Sequence, residues 1–416
     1  MTNKRIIIAG AGFGGINATL KLSLLLGSLK KEYEVIILDR HHHQLFTPAL
    51  YEIAAIPSAN TSDLALKSGV LIPIDDIIEG KQIKFICDKL VGLDAKEKKI
   101  ILEKDGKLAY EFLILALGSE INYFSIPGLQ EFGFALKTFD DAIKLRDKIE
   151  NRLEKENKLR IVVGGAGASG VELVAEFVNF VCFLKKANGK NQHKTNLCEV
   201  EFMLIEASPE ILPGFESWAI EKTKKRLANL GVRVKTGHFI ESVTENEINF
   251  KNGTKESYDI LIWTGGARGP EVLKNCGLPL SEKGSLEVDS YLRVRGPEDN
   301  IFAIGDNCIF LNPKTGKPLV WNIPVAEAEG RLAAKNIIRK IKGLPLQEFK
   351  PLKKYPFVLA VGKKYAVADL IWLRLAGFIG WIIKQLVELR YFLTILPFPK
   401  NIKIWTRDIK YFTGND

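Results

Sequence analysis

Short apolar runs, each followed by a longer stretch with helical periodicity, set the rhythm of the first half of this chain. Arg5-Ile6-Ile7-Ile8-Ala9, Glu34 to Leu38, Leu159 to Val163 and Val200 to Ile205 are of strand length and show almost no polar alternation. That pattern fits parallel strands covered on both faces rather than strands with one wet face. Ile16 to Leu29 and Val171 to about Leu184 read as helices, and each is separated from the strand before it by a glycine-rich turn. Strand, turn, helix and strand, met twice, predict an α/β protein with two Rossmann-like dinucleotide-binding domains. A length of 416 residues also calls for two or three domains.

The turns carry the chemistry. Gly10-Ala11-Gly12-Phe13-Gly14-Gly15 satisfies G-x-G-x-x-G. Glycines are needed there because the turn is tight and the backbone must approach a pyrophosphate, which the following helix N-terminus holds. Asp39 ends the next strand, where an acid is expected to bind a ribose hydroxyl. The second turn is Gly165-Ala166-Gly167-Ala168-Ser169-Gly170, with Glu206 closing its second strand. The longer spacing is explained by Lys185 to Asn196, a polar stretch expected to form an inserted exposed loop. A carboxylate at Glu206 would repel a 2′-phosphate, and Ala207, Ser208 and Pro209 supply no arginine, so NADH is expected over NADPH. Beyond these turns no further internal repeat is evident. Two dinucleotide sites imply that one cofactor stays and the other visits.

Charge alters the picture mainly at the C-terminal end. The chain has 59 Lys and Arg against 49 Asp and Glu, a net +10. From Lys350 to Asp416 there are twelve basic and four acidic residues, so that segment alone carries +8. Such concentration argues against a general nucleic-acid surface and for an anionic lipid surface. Asp369 to Leu396 is rich in Leu, Ile, Trp and Phe, yet its longest charge-free run, Leu375 to Ile383, has nine residues where a span needs about 20. A basic amphipathic helix lying in the membrane interface is expected, with Arg374, Lys384, Gln385 and Glu388 on its polar arc. Leu375, Ile379, Ile382, Leu386 and Leu389 fall outside that arc, and Trp372, Trp381 and Trp405 suit a headgroup boundary. A dimerisation or core-docking helix is the competing reading.

The remaining signals are weaker. Five scattered cysteines without CxxC fit a reducing compartment. Met1 to Gly10 runs directly into the first strand, so no signal peptide is expected. His41-His42-His43 cannot converge on one ion, and no metal is expected.

At this point the sequence resembles the two-dinucleotide-binding-domain flavoproteins, and within them the type II (non-proton-pumping) NADH:quinone oxidoreductases. Tyr110 to Gly118 resembles the strand returning to the flavin, with Leu117 where the family has Thr. Asn300-Ile301-Phe302-Ala303-Ile304-Gly305-Asp306 resembles the late FAD motif, Phe46 to Tyr51 the loop lining the flavin, and Trp263 to Arg268 the crossover from the nicotinamide domain. The resemblance implies FAD bound by Gly10, Gly12, Gly14, Gly15, Asp39, Arg40, Thr47, Pro48, Ala116, Leu117, Gly118, Gly305, Asp306, Pro324 and Val325. It implies NADH at Gly165, Gly167, Ala168, Ser169, Gly170, Glu206, Gly265 and Gly266, and Glu172 as the catalytic candidate; an acid there would also suit a helix start. Ile323, Ala328 and Lys363 would face a quinone. The family's A-Q-x-A-x-Q helix start is here Ile323-Pro324-Val325-Ala326-Glu327-Ala328, so both glutamines are replaced and the acceptor is left open.

The expected domains are an FAD unit at 1–120 and 267–345, an inserted NADH unit at 121–266 and a membrane-docking tail at 346–416. The expected activity is FAD-dependent NADH:quinone oxidation, peripheral on the cytoplasmic face, with a homodimer left open. A sulfide:quinone oxidoreductase or an NADH-sensing flavoprotein without sustained turnover are the alternatives.

Overall fold

The computed structural model describes residues 4–156, 158–187 and 200–412. Along the chain, β1 (Lys4–Ala9) leads through the first glycine turn into α1 (Phe13–Leu26), then β2 (Tyr33–Asp39), β3 (Ile83–Cys87) and β4 (Phe112–Leu115). After a crossover come β5 (Gly133–Ala135), β6 (Leu159–Gly164), α2 (Ala168–Ala187), β7 (Val200–Ile205), β8 (Val232–Lys235) and β9 (Ile260–Trp263). The chain returns with β10 (Ile301–Ala303) and α3 (Ile323–Ile341), and the tail holds β11 (Phe357–Ala360), β12 (Ala366–Asp369), β13 (Arg374–Gly377), α4 (Phe378–Ile395) and α5 (Lys400–Phe412).

Two five-stranded parallel sheets result, ordered β10-β4-β1-β2-β3 and β5-β9-β6-β7-β8. The first glycine-turn strand of each unit sits at the centre, where Ile6, Ile7 and Ile8, and likewise Ile161 and Val163, are fully buried. Each unit also carries a three-stranded antiparallel meander, at Leu90–Ala109 between β3 and β4 and at Ile240–Ser257 between β8 and β9. The two units therefore repeat in topology, although no repeat beyond the turns is visible in sequence. Strand order and meander position are set by pairing, which different apolar sequences satisfy equally well.

Three differences from the sequence-based expectations stand out. Most of the expected loop at Lys185 to Asn196 lies outside the described residues, while Lys185 and Lys186 belong to the last turn of α2. The first helix starts at Phe13 rather than Ile16, because Gly14 and Gly15 of the turn already belong to its first turn. In the tail, the expected helix from Asp369 begins only at Phe378; residues 357–377 form the antiparallel sheet β11-β12-β13.

The tail also reverses the expected wetting of α4. Lys384, Gln385 and Glu388 are buried, whereas Ile379 and Leu386 are 57% and 49% exposed. Lys384 Nζ lies 2.8 Å from both Glu52 and Glu388, so the charged arc docks into the first unit and the apolar side faces outward. Trp372 is 83% exposed at the β12–β13 turn, but the Trp405 indole N–H turns inward to the Gln385 carbonyl at 2.9 Å. Among the described residues no helix is long and apolar enough to cross a membrane.

Candidate functional site

One cleft of about 2870 Å³ runs between the two units and under the tail. Its walls include the first turn (Gly10, Gly12, Gly14), the second (Gly167, Ala168, Ser169), and the inward side of α4 (Lys384, Glu388, Tyr391).

The two turns are built alike, position by position. Gly10 and Gly165 have φ of +111° and +98°, a region other residues avoid. A side chain at Gly15 or Gly170 would place its Cβ 1.9 Å from the carbonyl oxygen of Gly10 or Gly165. Gly12 and Gly167 instead face open space, with nothing within 4 Å of an added Cβ. These are the positions where a diphosphate must approach the backbone closest, so the bare surface fits one.

The acids at the strand ends serve both turns identically. Asp39 Oδ2 accepts from the Ala11 N–H at 2.7 Å, and Glu206 Oε2 accepts from the Ala166 N–H at 2.7 Å. Their second oxygens accept from His41 N–H at 2.9 Å and Ser208 N–H at 2.8 Å. Each carboxylate is thus fixed in position by backbone N–H groups.

The late motif joins the first turn through α3. Gly330 abuts the Gly14 carbonyl, where an added Cβ would be 2.3 Å away, so α1 and α3 pack with backbones nearly touching. This contact brings Gly305, Asp306, Ile323, Pro324 and Ala328 to the cleft beside Gly12. Val325 lies behind them, buried, with its N–H capped by Asn322 Oδ1 at 2.9 Å. Glu329 accepts from the Gly305 N–H at 2.7 Å, and burial pushes its carboxyl up to about 8.

Other expected residues are distributed as follows. Arg40, Thr47, Pro48, Ala116, Leu117 and Gly118 line the cleft. Gly265 packs against the second turn, with its N and Cα 2.6 Å from where a Gly165 Cβ would be, and Gly266 lies under the Phe124 ring. Lys363 sits exposed on the β11–β12 turn, away from the cleft lining. The described cysteines are also absent from that lining. No group of three or more His, Cys, Asp or Glu able to hold a metal occurs among the described residues.

Glu172 lies on α2 in the cleft wall, accepting from the Ala360 N–H at 3.3 Å. Desolvation pushes its carboxyl up to about 8, against the pull of that N–H and of Lys384, and Glu52 and Glu388 add to the rise. Sequence reasoning placed Tyr51 in a flavin-lining loop and Lys384 and Glu388 on an outward polar arc, and did not bring them together around Glu172: the buried Tyr51 hydroxyl has no partner among the described residues, and Lys384 bridges Glu52 and Glu388. The i,i+4 spacing of Lys384 and Glu388 inside an apolar helix was the available signal.

Comparison with known proteins decides the family. The sequence pattern described as pyridine nucleotide-disulphide oxidoreductase matches residues 4–330, more than three quarters of the chain. The chain belongs to that family. Members similar over nearly its whole length include a type II NADH:quinone oxidoreductase of Staphylococcus saprophyticus, 26% identical over 357 residues and covering 83% of this chain and 85% of that protein. A demethylphylloquinone reductase of Synechocystis sp. is 27% identical over 405 residues, covering 94% and 92%. Among solved structures, NDH2 from Plasmodium falciparum in complex with NADH matches with a TM-score of 0.83 at 22% identity over 99% of both chains. The sulfide:quinone oxidoreductase from Aquifex aeolicus gives 0.75 at 17% over 98% and 92%. At these identities the structural matches speak for the fold of this oxidoreductase family member.

Proposed function

We propose that this pyridine nucleotide-disulphide oxidoreductase is an FAD-dependent NADH dehydrogenase that delivers an electron pair to a membrane quinone without pumping protons. The observation carrying this reading is that both glycine turns, Glu172 and the tail open onto one cleft. The Gly12 turn, braced by Asp39, fits the FAD pyrophosphate at the N-terminus of α1; Asp306 faces the same groove. The Gly167 turn, braced by Glu206, fits NADH. FAD held there would supply the two-electron chemistry between NADH and the quinone.

The chain's own contribution is placement and proton supply. Glu172, with a carboxyl shifted to about 8, is a neutral acid near neutral pH and can give a proton at its oxygen to a reduced acceptor in the cleft. Helix α4 separates cleft from exterior by its own thickness: Lys384, Val387, Glu388 and Tyr391 line the cleft, while Ile379, Ile382, Leu386 and Leu393 are exposed. With Trp372 and Phe398 these exposed residues form an apolar face in a segment of net charge +8. We read it as resting on an anionic lipid surface at the cytoplasmic face, from which a quinone enters beside α4.

The similarity to named quinone reductases over 83% and 94% of the chain supports this reading. The test is anaerobic titration of the purified flavoprotein with NADH, followed by a short-chain quinone in detergent. The flavin's visible absorbance should bleach at one NADH per FAD and return on quinone addition. No bleaching, or a bleached flavin that no quinone reoxidises, overturns it.

A further inference from the structure

A second ionisable group, Lys137, lines the cleft outside both glycine turns and the late motif. Lys137 follows β5 and reaches across to the exit of β4, where its Nζ donates to Ser119 Oγ at 3.1 Å. Ser119 Oγ in turn donates to Asp306 Oδ2 at 3.3 Å. All three side chains line the cleft. Among the described residues no carboxylate oxygen lies within ion-pair distance of Lys137 Nζ, so the ammonium is committed to this hydroxyl relay.

The surroundings make the arrangement costly unless it does something. Desolvation opposes the charge on Lys137, with Asp306 and then Glu120 favouring it. Desolvation likewise opposes the charge on Asp306, with Lys137 and then Ser119 favouring it. The other charged or titratable groups nearby do not take over the part of Lys137. Glu120 pairs with Arg268 at 3.4 Å, Glu329 on α3 is itself a largely neutral acid bonded to Gly305, and the Cys308 thiol is pushed up by burial. Lys137 is thus the principal cation facing Asp306. Among the described residues the Ser119 hydroxyl is the donor to Asp306, at Oδ2, and Asp306 lines the groove.

We propose that Lys137 is a positioning residue for the flavin: through Ser119 it fixes Asp306 as an anionic, oriented acceptor for a cofactor hydroxyl. The proposal rests on the reading that this groove holds FAD. It also ties the units together, since Lys137 enters from the strand that begins the second sheet while Asp306 and Ser119 belong to the first.

The test is FAD binding to deflavinated protein, followed by quenching of flavin fluorescence across the pH range in which the protein stays folded. The variants are Lys137→Met, Lys137→Arg, Asp306→Asn and the double variant Lys137→Met with Asp306→Asn. The parent should bind with little pH dependence. Lys137→Met should bind roughly tenfold more weakly at the acid end, recovering as pH rises and Asp306 ionises. Lys137→Arg should restore the parent profile, and the double variant should be no weaker than Asp306→Asn alone. A parent-like profile in Lys137→Met overturns the proposal, and so do losses that add independently, which would place the ammonium on the cofactor itself. Thermal melting of each apoprotein separates a binding loss from misfolding. A parent protein that binds no FAD at all refutes the flavin reading instead, a different outcome from any variant effect.

Discussion

Glu172 shows how one carboxyl acquires a use from its surroundings. In water it would be ionised at neutral pH; in the cleft wall desolvation raises it from 4.5 to about 8. A folded-state value above the unfolded one means that its contribution to stability is fully present below about pH 4.5 and is lost as pH rises toward about 8. Glu172→Gln removes the ionisation, so the melting temperature of the variant should gain on the parent across that interval. A constant gap would show that Glu172 titrates normally. Quinone turnover should fall in the same variant while flavin reduction by NADH persists, as expected for a proton donor to the acceptor. Glu206 is the second residue with a testable proposed role. Its oxygens hold the Ala166 N–H of the second turn and the Ser208 N–H just after β7, and in the proposed reading its remaining lone pairs serve a ribose. Glu206→Arg should lower kcat/KM for NADH by at least about tenfold and shift the NADPH-to-NADH ratio upward. An unchanged ratio would mean that this acid braces the turn and reads nothing. The turn glycines, Asp39 and Glu206 were all legible in the sequence, because their spacing is a local requirement of the turn. Lys137 and Ser119 were not, since residues 18 and 187 positions apart meet only through the fold.

At the scale of elements, α4 is the most instructive case. Its period was readable, and its sidedness was not. Amphipathic logic assigns the charged arc to water, but Lys384 finds two carboxylates at 2.8 Å in the interior, and the apolar arc is left outside. Burial works against the charge of Lys384, and Glu388 and Glu52 more than offset it. Lys384→Met should therefore be strongly destabilising, by about 3–5 kcal/mol, because it leaves two buried carboxylates facing one another without their cation. Denaturant unfolding with flavin bound measures this, and a loss below about 1 kcal/mol would show the cluster to be well hydrated. Residues 366–377 carry the same lesson: Ala366 to Asp369 is short and wholly buried, and only pairing with Phe357–Ala360 distinguishes it from the start of the following helix.

Across the whole molecule, charge and apolar exposure coincide. The exposed face of α4 with Trp372 and Phe398 lies in the segment that carries +8 of the net +10. Neither contribution alone binds a bilayer firmly, and together they predict salt-sensitive sedimentation with vesicles containing anionic lipid. Ile379→Asp with Leu386→Asp should abolish co-sedimentation at any ionic strength and leave flavin content and activity with a soluble quinone near parent values. Retained sedimentation in that variant would assign the face to another partner, a second copy of the chain included. What the sequence by itself determined is whatever short-range chemistry dictates: the central strands, two phosphate-cradling turns, the acids that end the second strands and the charge excess of the tail. Only the tertiary structure decided that the two units repeat one topology, that both turns open onto one cleft and that α4 turns its charges inward. The reason is physical. Turn geometry depends on residues a few positions apart, whereas sidedness and electrostatic partnership depend on which distant groups packing brings within a few ångströms of one another.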